Sequence, residues 1–184
     1  SDQGDNPPVG AAPTYDATIV RDSDGVPHIT GADYGDIGYG YGYVHAEDNL
    51  CVLAEDLITT LGRRAEFFGR DGSYSIPANG NTSNNVDSDF FWRHMQIEER
   101  VAALRADASP EAAAATAGFA AGYSRYVREL QAGEHPGRHA ACRDAGWVTP
   151  ITADDVYRRY FRLAIIASSS ALVTEIGAAQ PPLP

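Results

Sequence analysis

Gly38-Tyr39-Gly40-Tyr41-Gly42-Tyr43-Val44-His45-Ala46-Glu47-Asp48-Asn49-Leu50-Cys51-Val52-Leu53-Ala54-Glu55 carries the strongest local signal in the chain. Three glycines alternate with three tyrosines over its first half. Positions without a side chain let a second backbone approach closely, and tyrosine rings supply buried area with a polar tip. The period then changes. Leu50, Leu53, Leu57 and Leu61 fall three and four apart, the spacing of one helix face, with Ala54 beside Leu53. Glu47 and Asp48 would occupy the first turn of that helix, where the dipole favours negative charge. The pattern predicts a glycine-rich entry into an amphipathic helix that packs on a core.

The flanks add two further elements. Gly25-Val26-Pro27-His28-Ile29 precedes the stretch, and Gly62-Arg63-Arg64-Ala65-Glu66-Phe67-Phe68-Gly69 follows it. Together the three, in this order and spacing, resemble the opening of the penicillin acylase family of N-terminal-nucleophile hydrolases. The likeness is to the α chains of its aculeacin-type and acyl-homoserine-lactone branch. It is specific over residues 15–70 and weaker towards the C-terminus.

Composition narrows the partners. The chain of 184 residues holds 14 basic and 25 acidic side chains, a net charge of −11, and the basic residues are all arginine. A nucleic acid or an anionic membrane needs clustered Lys and Arg, so neither is an expected partner. No apolar run approaches the length of a membrane span. Residues 1–14, polar and rich in Pro and Gly, read as a flexible segment left after removal of a signal peptide, which places the protein outside the cytoplasm, secreted or periplasmic. Cys51 and Cys142 are the only cysteines, and two thiols in an exported chain suggest one disulfide, although sequence does not bring them together.

Residues 15–179 read as a single α+β domain, mainly helical. Tyr15, Ala17 and Ile19 alternate with Asp16, Thr18 and Val20, and Asp22-Ser23-Asp24-Gly25 is a turn, so a hairpin with residues 26–29 is predicted. Arg70–Ser88 reads as a long surface loop. Asp89 is the expected cap of a helix with the face Phe90, His94, Ile97, Val101 and Leu104. Ser109-Pro110-Glu111 opens a helix with the face Phe119, Tyr123, Tyr126 and Leu130, ended by Gly133. After a second loop, Thr152 and Asp155 open a last helix running through Tyr157, Phe161, Ile165, Ser168, Leu172 and Ile176. Residues 180–184 are a proline-rich end.

Chemistry is thinly represented. His135, His139 and Cys142 have ligand types that zinc uses, but Pro136 and Gly137 break any helix that would align them, and no fourth ligand is evident. No Gly-x-Ser-x-Gly elbow occurs, and adjacent pairs such as Glu98-Glu99 and Asp154-Asp155 point apart on a helix. Four apolar helix faces with too little strand for a sheet imply that something else supplies the rest, so the chain reads as part of a larger fold. On the residues alone, a non-catalytic exported helical binding module is the alternative.

The resemblance implies a division of labour. In the family, a precursor is cut into an α chain, a spacer and a β chain, and the two chains form an obligate heterodimer with the αββα fold. The new N-terminal serine of the β chain is the nucleophile and its own α-amine the base, so no catalytic residue is expected in this chain, and its end at Pro184 would lie near a processing site. The resemblance further implies that Ile165–Glu175 lines the acyl pocket, with Ile165, Ser168, Ser169 and Leu172 as candidate substrate-binding residues. Glu175 would be a calcium ligand shared with β-chain carboxylates. Ser168 and Ser169 fall where penicillin G acylases carry an Arg-Phe pair, so the pocket is expected to be deeper and to favour a medium or long acyl group. A cyclic lipopeptide, an acyl-homoserine lactone or a penicillin V-like amide would be the substrate.

Overall fold

The computed structural model describes residues 14–95 and 97–179. The segments expected to be flexible at 1–14 and proline-rich at 180–184 therefore lie outside the described residues, Thr14 excepted. Strands β1 (Ala17–Arg21) and β2 (Pro27–Gly31) form the predicted antiparallel hairpin, with Ile19 opposite Ile29. Its turn is tied by Asp22 Oδ1, which accepts the backbone N–H groups of Asp24 and Val26.

The glycine-tyrosine stretch is helix, not an entry to one. Helix α1 runs from Tyr34 to Thr60, capped by Asp33, with one non-helical residue, Asn49. Glu47 and Asp48 thus end its first half instead of opening a helix, and both pair with Arg21 of β1. The reason is packing. Helix α5 (Pro110–Gln131), begun as predicted by Ser109 and Pro110, crosses α1 at backbone contact. A Cβ on Gly38 or Gly42 would lie 2.1 Å from the carbonyl oxygen of Ala115 or Phe119. The relation is reciprocal: a Cβ on Gly118 or Gly122 would meet the carbonyls of Gly35 and Tyr39 at 2.0 and 1.9 Å. Each such glycine costs about 1 kcal/mol of helix propensity, which the contact between the two backbones offsets. Gly40 faces the other way, onto Ile29 and Ala17 of the hairpin.

Two cores result. The first joins Leu50, Leu53 and Leu57 of α1 to Phe119, Tyr123, Tyr126 and Leu130 of α5, as their spacing predicts, and takes in Val148. The second gathers Tyr74, Ile76, Phe91, Trp92, Val101, Tyr157 and Val173.

The second core departs from expectation in three places. Arg70–Ser88 is not a bare loop: short strands β3 (Ser73–Ser75) and β4 (Thr82–Asn84) pair within it, and Tyr74 and Ile76 are buried. The helix expected after Asp89 is two. Helix α3 (Asn85–His94) is capped by Asn84 and buries Phe91 and Trp92 while Phe90 faces out; α4 (Ile97–Asp107) buries Ile97 and Val101. Asp89 caps the preceding short helix α2 (Arg64–Phe68) instead, its two oxygens accepting from the backbone N–H groups of Arg64 at 2.7 Å and Ala65 at 2.8 Å. The last helix also breaks. Helix α6 (Ala153–Ile165), opened by the Thr152/Asp155 capping box, is followed by a 3₁₀ turn at Ser169–Leu172 and by α7 (Val173–Gly177).

Candidate functional site

The candidate pocket residues sit at this break. Ser168 leaves the helical region (φ −136°, ψ −114°), and the serine hydroxyls bond back to their own chain: Ser168 Oγ to the Ile165 carbonyl and Ser170 Oγ to that of Ile166. Such back-bonding competes with the helix ladder, which is why three successive serines end it. Ile165 is partly buried against the second core, so only part of its side chain faces outward. Ser168 is exposed, Ser169 is half-buried, and Leu172 is 48% exposed. The four residues lie along one bend, with Ser168 and Leu172 its exposed members.

Glu175 stands in the first turn of α7, exposed. A carboxylate oxygen is the ligand type calcium takes, but the ion needs about six to eight such oxygens. Glu175 offers one such group and, among the described residues, belongs to no cluster of three potential ligands.

Residues of α1, α2, β3 and α6 enclose a cleft of about 280 Å³, lined among others by Val52, Glu55, Asp56, Arg64, Tyr74 and Arg162. Arg162, though charged, is buried, and its Nη2 lies 3.0 Å from Asp56 Oδ1. Burial pushes the Asp56 carboxyl up from its ordinary value, and Arg162 and Arg159 oppose that shift. The spacing of α6 gave no sign of this pair, since an arginine on a helix reads as solvated until its neighbours are known.

The loop from Gly133 to Thr149 is not a metal site built on His135, His139 and Cys142. His135 and His139 both adopt positive φ and both rings pack on Tyr126, but each has its own partner: His135 Nε2 pairs with Glu129 at 3.0 Å, and His139 Nε2 with the Tyr126 hydroxyl at 3.0 Å. Cys142 is bonded to Cys51, with the two Cα atoms 5.6 Å apart, joining the loop to α1.

The described fold and site can be set beside known proteins. The sequence profile of the penicillin amidase family matches residues 16–180. The chain belongs to the penicillin amidase family. It is 36% identical over 176 residues to aculeacin-A acylase of Actinoplanes utahensis, a match covering 91% of this chain and 21% of that protein. It is 34% identical over 158 residues to acyl-homoserine lactone acylase PvdQ of Pseudomonas putida, covering 86% of this chain and 19% of that protein. The chain thus spans about a fifth of the length of these relatives. The solved thermostable penicillin G acylase of Alcaligenes faecalis shares the fold at a TM-score of 0.61 and 20% identity, covering 94% of this chain and 98% of that one.

In this penicillin amidase chain the third sequence element, Gly62 to Gly69, has a structural explanation. Gly62 has φ +61°, and its carbonyl takes two hydrogen bonds from the Arg93 guanidinium. Arg64 is buried and donates to Glu55, Thr59 and Asn85 at 2.8, 2.8 and 2.9 Å. Its guanidinium also lies 4.9 Å from the Phe68 ring centroid and 4.7 Å from that of Tyr74. A planar fork with delocalised charge suits both roles, and a lysine ammonium would fill neither. Arg64 therefore joins α1, α2, α3 and β3 into one frame beside the cleft. Its place in the quoted motif was visible in sequence; its burial was not.

Proposed function

We propose that this chain is the α subunit of a secreted or periplasmic two-chain acylase of the penicillin amidase family, and that it forms the acyl-binding wall. The enzyme cleaves the amide between a medium or long acyl chain and an amine, as in a cyclic lipopeptide, an acyl-homoserine lactone or a penicillin V-like compound. The observation that carries the reading is one of length. The chain spans a fifth of its curated relatives yet covers 98% of one solved acylase chain, which supports a separate subunit of this size.

Its surface supports a partner. Tyr41 and Val52 of α1 and Tyr160 and Leu163 of α6 are exposed, between 40% and 64%. Nearby on the same two helices, His45 Nδ1 and Arg159 Nε are cut off from water, and among the described residues neither has a hydrogen-bond partner. Buried donors and acceptors left unpaired are unfavourable, by about 1–3 kcal/mol each. A β chain from the same precursor, docked here, would cover the apolar groups, and the two unpaired atoms would find partners only if these helix faces adjusted on docking.

In this reading the β chain's N-terminal serine attacks the amide carbonyl. Its own α-amine, which titrates at about 8, takes the hydroxyl proton, and donors on the β chain hold the oxyanion. The α chain contributes binding. Serines in place of an Arg-Phe pair leave room along the bend, and each CH₂ a longer acyl group buries there is worth about 0.8 kcal/mol. Calcium held by Glu175 and β-chain carboxylates would brace the subunits.

The test is to express the whole precursor, isolate the assembled protein and measure hydrolysis of an acyl amide series. Octanoyl or longer substrates are expected to turn over better than phenylacetyl ones. Equal or better turnover of phenylacetyl amides, or a lone α chain that is monodisperse and cooperatively folded, would overturn the reading.

A further inference from the structure

The wall segment from Ile166 to Leu172 is nearly all tied to itself. Its backbone bonds run from Ser168 N–H to Ile165 and from Ala171 N–H to Ser168, and the Ser168 and Ser170 hydroxyls donate to the carbonyls of Ile165 and Ile166 within a turn. Local bonds shape a bend without setting where it lies against the rest of the molecule. Among the described residues one long-range polar bond reaches it: Asn79 Nδ2 donates to the Ala171 carbonyl at 3.1 Å, across 92 positions of sequence.

We propose that Asn79 is a positioning residue for acyl recognition, holding the Ser169–Leu172 turn in place through the Ala171 carbonyl. The inference rests on the acyl-wall reading above. Asn79 sits at the tip of the β3–β4 hairpin, and that tip is rigidly placed. Ile76 is buried in the second core, its N–H bonds to the Asn81 carbonyl at 2.8 Å, and its carbonyl accepts from Gly80 N–H at 2.8 Å. The two ends of the Asn79 amide have separate tasks. Oδ1 accepts the Asn81 N–H at 2.9 Å and closes the turn, while Nδ2–H crosses to α6–α7. On the far side of the turn, Val173 is fully buried. Ala171 is thus fixed between a core anchor and the hairpin tip, and Leu172 projects outward from the fixed point.

The test uses the assembled two-chain protein. Asn79→Asp keeps the acceptor for Asn81 and removes the donor to Ala171. Asn79→Ser, whose shorter hydroxyl also satisfies the turn but does not span to Ala171, is the second variant. A single hydrogen bond predicts a rise of about two- to tenfold in KM for long-chain amides. The kcat and the values for acetyl amides should move little. Leu172→Ala and Ser169→Phe are run in parallel. If these shift the acyl-length profile and both Asn79 variants leave it unchanged, or alter short and long substrates by one common factor, the Asn79 role is overturned and the wall reading survives. If none of the four shifts the profile, the wall reading falls and this proposal with it.

Discussion

Gly42 of α1 lies against the carbonyl oxygen of Phe119 in α5, so close that a Cβ at 42 would come within 2.1 Å of it. Backbone, not a flexible side-chain end, is the obstacle, and both helices would have to part. Gly42→Ala is therefore expected to destabilise the protein by about 3 kcal/mol or more, at the upper end of overpacking changes. Gly146→Ala is the control. A Cβ there meets nothing within 4 Å, and the change should be neutral or slightly stabilising. Urea denaturation of the two variants decides it, and equal midpoints would refute the close-packed crossing.

The Cys51–Cys142 bond closes a loop of 91 positions between α1 and the segment after α5. Constraining so long a loop in the unfolded chain stabilises the folded state, and loss of such a bridge costs about 2–5 kcal/mol. Paired Cys51→Ala and Cys142→Ala changes should lower stability by that amount. Adding a reductant should lower the wild type to the same level and leave the double variant unmoved.

Asp36 links hairpin to helix. Its carboxylate accepts the backbone N–H groups of Asp16 at 2.8 Å and Ala32 at 3.0 Å, and these bonds hold its pKa below the ordinary carboxylate value. A group whose pKa is depressed by folding stabilises the fold above its unfolded pKa of about 4 and loses that contribution as pH falls through the folded value. Asp36→Asn should thus be less stable than wild type at pH 7, and the gap should narrow as pH drops below about 4. A gap that stays constant across this range in thermal melts would remove the assigned role.

The same distinction, between pairings that spacing reveals and pairings that only proximity reveals, separates what could be read from the chain. The apolar faces of α5 and of the second half of α1 follow from side-chain period, and the hairpin from its turn residues. The disulfide followed from cysteine number in a chain whose composition reads as exported. The breaks at Met95 and Ser168 did not, because a run at three-four spacing looks the same whether or not the backbone continues through it. Asp89 illustrates the difficulty. It is a helix cap, as its residue type suggests, but of α2, whose Arg64 lies 25 residues before it in the chain. Arg64, Asp56 and Arg162 are ordinary surface types in sequence, and their burial depends on which helices meet. The family was legible because its three elements are the very places where glycine, arginine and the kinked Asn49 meet demands of the fold.

If calcium joins the subunits, stability of the intact protein should depend on it. Binding at 100 times the dissociation constant adds about 2.7 kcal/mol. Chelation by EDTA should lower the melting point of the assembled protein, and calcium, not magnesium, should restore it, since the smaller ion demands a tighter octahedral shell. In Glu175→Gln the EDTA effect should be much reduced. A wild type indifferent to EDTA, with no calcium found after dialysis, would dismiss the ion.

Ser169 gives the sharpest test of substrate choice. It is half-buried at the start of the 3₁₀ turn, between the exposed Ser168 and the buried Ser170. Ser169→Phe puts a ring where the proposed acyl wall has only a hydroxyl, which would shorten the space along the bend. If the ring excludes three methylenes of a long acyl chain, at about 0.8 kcal/mol each, kcat/KM for that substrate should fall by about 50-fold. Acetyl and butyryl amides, which do not extend so far, should be hydrolysed nearly as before, and phenylacetyl amides should gain on long-chain ones. Measured across acyl lengths, a uniform loss would mean that the ring has only disturbed the fold. A step at one chain length would mark the distance from the scissile carbonyl to this wall.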